Sequence, residues 1–188
     1  MDGLGESLPA TVEEFNFKIT KGLVLNAEDV NSNFLQNLKN FPNMKKMSLN
    51  LKGKRLESKN FVLDSTINLE SFEFWAFNFN SIALASLDTS LKELTLAFMC
   101  TNPEEVQDLI KTLEMIGKFS HLHTLFLYIT NQCPCNPFFH IASPFYFMLE
   151  KTKALRKLIF RLSSWGISKK EREWINSCLK NKKTLKDP

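Results

Sequence analysis

The stretches LKELTLAF at residues 91–98 and LHTLFLYI at residues 122–129 carry one pattern, an apolar residue followed at +3 and +5 by two more. Four further copies lie outward from this pair. The full set is Val12/Phe15/Phe17, Met44/Met47/Leu49, Leu69/Phe72/Phe74, Leu91/Leu94/Leu96, Leu122/Leu125/Leu127 and Leu155/Leu158/Phe160. Apolar residues make up 44% of the chain, so one copy would mean little, but six copies spaced 32, 25, 22, 31 and 33 residues apart indicate a repeat architecture. The last two residues of each triplet are two apart, so in an extended strand they face the same way while their neighbours face the other. A third inward position follows in each copy, at Ile19, Leu51, Ala76, Phe98, Ile129 and Leu162. One such strand cannot bury its own apolar face. Six stacked about 4.8 Å apart give a sheet whose inner face is one continuous core, closed by whatever lies between the strands.

The intervening segments read as helical where they are long. Residues 27–41 place Val30, Phe34, Leu38 and Phe41 on one helical face, with Asn26 as N-cap. After the fourth triplet, Thr101 or Asn102 caps, Pro103 suits the first helical position, Val106, Leu109, Ile110 and Leu113 form a stripe, and Gly117 stops the helix. After the fifth, Ser143-Pro144 opens a short apolar segment through Phe145, Phe147, Met148 and Leu149. The second and third units, 25 and 22 residues long, leave room for little more than a single turn. Near the C-terminus, Trp174, Ile175, Cys178 and Leu179 share a helical face behind Ser168 as N-cap, which predicts a helix capping the stack.

This run of L-x-x-L-x-L strands alternating with helices resembles the leucine-rich repeat, in its longer ribonuclease-inhibitor-like form for the outer units. The resemblance covers roughly residues 12–165. It implies an α/β solenoid of about six parallel strands, with helices or short turns on the convex side and a C-terminal capping helix. The family usually places Asn or Cys five residues after the second ladder residue, where its side chain satisfies backbone groups at the bend. Here those positions hold Thr20, Lys52, Phe77, Met99, Thr130 and Ser163, a departure that predicts irregular loops after the middle strands.

Composition points to one domain over residues 1–188, with repeats at 12–165 and a cap and basic tail at 166–188; no Gly/Ser/Pro-rich linker divides the chain. No apolar run approaches the roughly 18 residues of a membrane span. The N-terminal MDGLGESLPATVEEF has four acidic residues and no Lys or Arg, unlike a secretory signal or a mitochondrial presequence, so a cytoplasmic protein is expected. Atypical sequence at both ends leads to the expectation of a complete repeat stack. Of the cysteines, Cys133 and Cys135 with His140, His121 or His123 offer metal-ligating atoms, but they lack the paired spacings of structural zinc sites, and no metal is expected. A disulfide is not expected in a cytoplasmic protein either.

No phosphate-binding glycine loop, metalloprotease helix or nucleophile elbow occurs in the chain. Glu13-Glu14 begins a strand, and Glu104-Glu105 occupies the first turn of a helix, where carboxylates suit the positive end of the dipole. No catalytic residue and no cofactor are expected. Charge is uneven: residues 169–188 carry seven basic and three acidic side chains, a net +4, which equals the formal charge of the whole chain. The other 168 residues are therefore balanced, which argues against a broad nucleic-acid-binding face.

In proteins of the resembled family the outward strand residues line a concave face. The corresponding residues here are polar in the first two strands, while from the third onward large groups appear. Trp75 and Tyr128 occupy equivalent positions two strands, or about 10 Å, apart, with Ala97 between them. Two rings around a small residue predict a shallow pocket, which Phe126, Ile159 and Arg161 extend, and this composition is common in interface hot spots. A fold of residues 130–143, with Phe138 and Phe139, over those rings is the competing expectation. The expected function is a non-catalytic protein-protein interaction module, an adaptor or assembly subunit whose partner contacts Trp75, Ala97, Phe126, Tyr128, Ile159 and Arg161. The alternatives are a structural subunit held by convex helices and strand edges, or an RNA-associated protein using the basic C-terminal tail.

Overall fold

Each apolar triplet ends in a strand. In the computed structural model, which describes residues 11–18, 41–51, 68–76, 84–85, 87, 90–134, 138–182 and 184–185, the strands are β1 (Glu14–Lys18), β2 (Lys46–Asn50), β3 (Ser71–Trp75), β4 (Glu93–Cys100), β5 (Thr124–Asn131) and β6 (Lys157–Ser163). They form one six-stranded sheet in sequence order, with every neighbouring pair parallel. The register aligns the triplets residue for residue. Phe15, Met47, Phe72, Leu94, Leu125 and Leu158 make one row across all six strands, and Leu49, Phe74, Leu96, Leu127 and Phe160 lie along the next.

The same hydrogen bonds recur at each junction. The carbonyls of Glu13, Lys45, Glu70, Lys92 and His123 each accept two consecutive N–H groups of the following strand, at 2.8 and 3.0 Å every time. Repetition in the sequence has thus become repetition of backbone geometry, with the leading residues Met44, Leu69, Leu91, Leu122 and Leu155 buried just ahead of each strand. Each fully buried Leu of this core contributes roughly 1.5–3 kcal/mol by its removal from water.

Three helices are present among the described residues: α1 (Pro103–Ile116), α2 (Phe138–Lys151) and α3 (Lys169–Asn181). They cover the face that carries the ladder, because Val106, Leu109, Leu113 and Ile116 of α1 and Ile141, Phe145, Met148 and Leu149 of α2 join the ladder residues in one core. Asn102 caps α1, accepting from the Glu105 N–H at 2.9 Å, while the Glu105 carboxylate accepts from the Thr101 N–H and hydroxyl at 2.6 and 2.7 Å. Gly117 follows as the C-cap, and a side chain there would crowd Lys151 of α2, its Cβ falling 3.3 Å from that of Lys151.

Helix α2 corrects one expectation. It starts at Phe138, five residues before Ser143-Pro144, and carries Pro144 inside it. A proline normally disrupts a helix because it removes an N–H and crowds the preceding turn. Here Ile141, Phe145, Met148 and Leu149 are all buried, so packing of that face holds the helix through the proline. The expected helix at 27–41 lies outside the described residues apart from its last residue, Phe41, which is buried.

The chain leaves β6 through Ser164 and Gly166, both in the left-handed region with φ of 61° and 57°. That conformation costs an L side chain more than glycine. It turns Trp165 into the core, where its indole donates to the Ile129 carbonyl at 3.2 Å. Helix α3 then starts at Ser168 with a capping box, in which the Ser168 N–H donates to the Glu171 carboxylate at 2.6 Å and the Glu171 N–H to the Ser168 hydroxyl at 3.3 Å. Its Trp174 approaches Phe145, which in turn stacks on Phe160 of β6 with centroids 4.4 Å apart. Just beyond α3, the Lys182 ammonium donates to the carbonyls of Leu149 and Thr152 at the end of α2, and burial lowers its pKa from the ordinary lysine value. The C-terminal helix is thereby fastened at both ends over the last strand.

Strands β4 and β5 run past the position at which a bend residue was expected. Strands β4 and β5 stay extended for eight residues, so inward positions keep even offsets: Leu94, Leu96, Phe98, Cys100 and Leu125, Leu127, Ile129, Asn131. An offset of five points Met99 and Thr130 to the other face; an offset of six brings Cys100 and Asn131 side by side at the bend. Asn131 is buried and does what that position requires, accepting from the Cys133 N–H at 2.9 Å and donating to the Cys133 carbonyl at 3.3 Å. Of the loops expected to be irregular, the one after β4 is described, and it passes directly into α1 through the Thr101–Asn102 cap. Thr20, Lys52 and Phe77 lie outside the described residues.

Cysteine chemistry requires a second correction. Cys133 is disulfide-bonded, whereas Cys100 and Cys178 are free and buried. The contrary expectation rested on compartment and not on local geometry. Burial pushes the Cys100 thiol up to about 12, so it stays protonated and unreactive in the folded protein.

Candidate functional site

The candidate site is the sheet face opposite the helices. Parallel register arranges its side chains in three rows: Glu14, Lys46, Ser71, Glu93, Thr124 and Lys157; then Asn16, Ser48, Glu73, Thr95, Phe126 and Ile159; then Lys18, Asn50, Trp75, Ala97, Tyr128 and Arg161. Four of the six residues expected at the site, Trp75, Ala97, Tyr128 and Arg161, therefore occupy one row on adjacent strands. Phe126 and Ile159 are neighbours in the next.

The expected pocket between Trp75 and Tyr128 is closed. Their rings reach across β4 and stack at a centroid distance of 5.5 Å with 23° between planes, and Ala97 beneath them is only 8% exposed. Strand spacing alone puts the two positions about 10 Å apart, but both side chains are long enough to lean over the small alanine, and such stacking contributes about 0.5–1.5 kcal/mol beyond area burial. The result is a raised aromatic platform in place of a cavity.

Cations complete it. The Arg161 guanidinium lies 5.5 Å from the Tyr128 ring centroid, and the Lys157 ammonium 5.1 Å from that of Phe126. Trp75 is fixed from its other side, its indole N–H donating to the Glu73 carboxylate, whose second oxygen accepts from the Ser48 hydroxyl at 3.0 Å. Glu73 and Lys157 were not among the expected site residues. Both lie on the outward alternation read from the sequence, Glu73 two residues before Trp75 and Lys157 two before Ile159, but neither was singled out as a contact residue.

The first half of this face has a different character. Glu14 pairs with Lys46 at 2.6 Å and Glu13 with Lys45 at 3.6 Å, while Glu70 pairs with Lys92 at 2.9 Å at its rim. Hydrogen bonding to Glu14 raises the Lys46 pKa from its ordinary value, and Lys92 beside Glu70 lowers that of the carboxyl. Both acidic pairs singled out in the sequence have structural positions: Glu13 and Glu14 in this ladder of charges, Glu105 in the cap of α1.

Covering of the rings by residues 138–143 does not occur, because that stretch belongs to α2, which packs against the ladder face through Ile141 and Phe145. The side chains of Phe138 and Phe139 lie outside the described residues. His121 and His140 are exposed, and no group of three or more His, Cys, Asp or Glu side chains among the described residues could hold a metal ion. None of the helices among the described residues is long and apolar enough to cross a membrane. No protein-family model matches the chain, and no curated protein sequence matches it.

Proposed function

We propose that this chain is a leucine-rich-repeat-like solenoid and acts as a non-catalytic, cytoplasmic protein-interaction module whose partner docks on the open sheet face. The observation that carries the reading is the Trp75–Tyr128 stack flanked by Arg161, Phe126 and Ile159 on a face that none of the described helices covers. Trp, Tyr and Arg together are the residue types most enriched among hot spots, and they sit here on a rigid sheet. Recurrence of one junction geometry at five successive strands supports the repeat part of the reading.

A second reading has its own observation. Tyr146 and Phe147 on α2 are 48% and 50% exposed, the exposed large apolar side chains among the described residues. Phe147 lines a groove between α1 and α2 with Gly117, Lys118 and Pro144. They favour a structural subunit held through its helices. Affinity capture from native cells followed by mass spectrometry separates the two: Trp75→Ser/Tyr128→Ser, checked for folding by circular dichroism, loses its specific protein partners on the first reading and keeps them on the second. Tyr146→Ser/Phe147→Ser gives the opposite result. Loss of partners only on deleting residues 180–188, with steep salt dependence, would move function to the basic tail.

The Cys133 disulfide weighs against the cytoplasmic part of this reading, since such bonds persist chiefly in oxidising compartments. Thiol counting on denatured protein taken directly from cells decides it. Four reactive cysteines support a reducing compartment, and fewer contradict it.

A further inference from the structure

The two halves of the open face differ in how their charges are used. On β1–β3 the carboxylates of Glu14 and Glu73 are engaged, by Lys46 in one case and by Ser48 and Trp75 in the other. On β5–β6 the charges are Lys157 and Arg161. Among the described residues neither forms an ion pair with a carboxylate; each lies over an aromatic ring instead. The nearest acidic group in their rows is Glu93, two strands from Lys157 along the register.

These cations have a spacing. Lys157, Ile159 and Arg161 alternate along β6 on one face, so the two charges stand about 13 Å apart with an apolar side chain midway. Phe126 and Tyr128 run beside them on β5. An extended peptide has the same period, placing residues i, i+2 and i+4 on one side over the same length. We infer that the partner segment is an extended acidic peptide of the form acidic-x-apolar-x-acidic. Its carboxylates lie on Lys157 and Arg161, and its apolar side chain rests between Ile159 and Phe126. The inference rests on the proposed use of the open face. Arg161 can meet a carboxylate with two parallel N–H donors, which adds direction to the charge attraction.

Single-stranded nucleic acid would use the same kinds of residue, but it needs ring faces on which bases stack. Here one face of Trp75 is taken by Tyr128, and the Tyr128 and Phe126 rings each carry a cation, which leaves fewer ring faces for bases to stack on.

The test is selection from a random 12-residue peptide display library against the full chain. Lys157→Glu/Arg161→Glu and Trp75→Ser/Tyr128→Ser are run in parallel, each checked for folding by circular dichroism. The expected result is enrichment of peptides with two acidic residues four apart around an apolar one. Capture of those peptides should fall about tenfold or more on Lys157→Glu/Arg161→Glu, as charge-assisted contacts are lost. The same charge reversal should select basic peptides in their place. Enriched peptides that are neutral or basic, yet depend on Trp75 and Tyr128, would overturn the acidic assignment while leaving the open face as the binding surface. Peptides indifferent to both variants, or no enrichment, would overturn both. Binding of polyuridylate that competes with selected peptides and is lost on Lys157→Glu/Arg161→Glu would assign the face to nucleic acid instead.

Discussion

Leu125 and Phe126 are adjacent in β5, both large and both apolar, and their circumstances are opposite. Leu125 is fully buried in the ladder beneath the helices, whereas Phe126 is partly exposed on the open face under the Lys157 ammonium. Apolar character does not separate them; the parity of their position in the strand does. One face of this sheet is made by repetition, the other by what each repeat leaves free to vary.

The largest expected effect tests that division directly. Leu125→Ala should cost about 2–5 kcal/mol in chemical denaturation, because it opens a cavity in a packed core. Phe126→Ala should cost much less, its ring being only partly removed from water. Equal losses would show that the open face is packed as tightly as the ladder.

Trp165 sharpens the comparison at the end of the sheet. Trp165→Phe keeps an aromatic ring but removes the indole donor to the Ile129 carbonyl, and should cost about 0.5–1.5 kcal/mol, the net worth of one intramolecular hydrogen bond. An unchanged unfolding midpoint would mean that water reaches that carbonyl.

Cys100 reports on the ladder face through pH. The folded protein holds its thiol protonated to about 12, while the unfolded chain releases that proton near 9.0. Over that window the unfolded state binds fewer protons, so this group's contribution is complete below pH 9 and is lost as pH rises toward about 12. Cys100→Ala should flatten the alkaline fall in stability. Of the two free thiols among the described residues, Cys178 at 8% exposure should label first with a maleimide and Cys100 only on unfolding. Early labelling of Cys100 would show that the core beside α1 opens locally.

The smallest effect belongs to the charged half of the open face. Lys46→Ala should leave the unfolding midpoint unchanged within error, since its bond to Glu14 lies in open solvent where ion pairs add little. A clear loss would mean that these charges act as one network.

The fold was legible because burial enforces periodicity. Six triplets gave six strands in order, and Asn102, Pro103, Gly117 and Ser168 marked helix ends by local chemistry that tertiary context did not override. The start of α2 was not, because Pro144 is a strong local signal defeated by the packing of Ile141, Phe145 and Met148, contacts that no window around the proline reveals. The register of the candidate residues was legible and their side-chain arrangement was not. Alternation placed Trp75, Ala97, Tyr128 and Arg161 in one row, but whether two rings flank a gap or close over it depends on side-chain reach across three strands. Asn131 was missed for a simpler reason: the bend position was counted at an odd offset, which an extended strand turns away from the core.

The most direct test of the open face as the binding surface pairs two numbers for one substitution, Trp75→Ala. They are the Kd for a captured partner or selected peptide by titration calorimetry, and the unfolding midpoint in urea. The account predicts a loss of about 2 kcal/mol or more in binding, roughly a thirtyfold rise in Kd, with a smaller fall in stability of about 0.5–1.5 kcal/mol from the lost stack. Unchanged affinity, or a collapse of stability without a binding defect in the folded fraction, would contradict it.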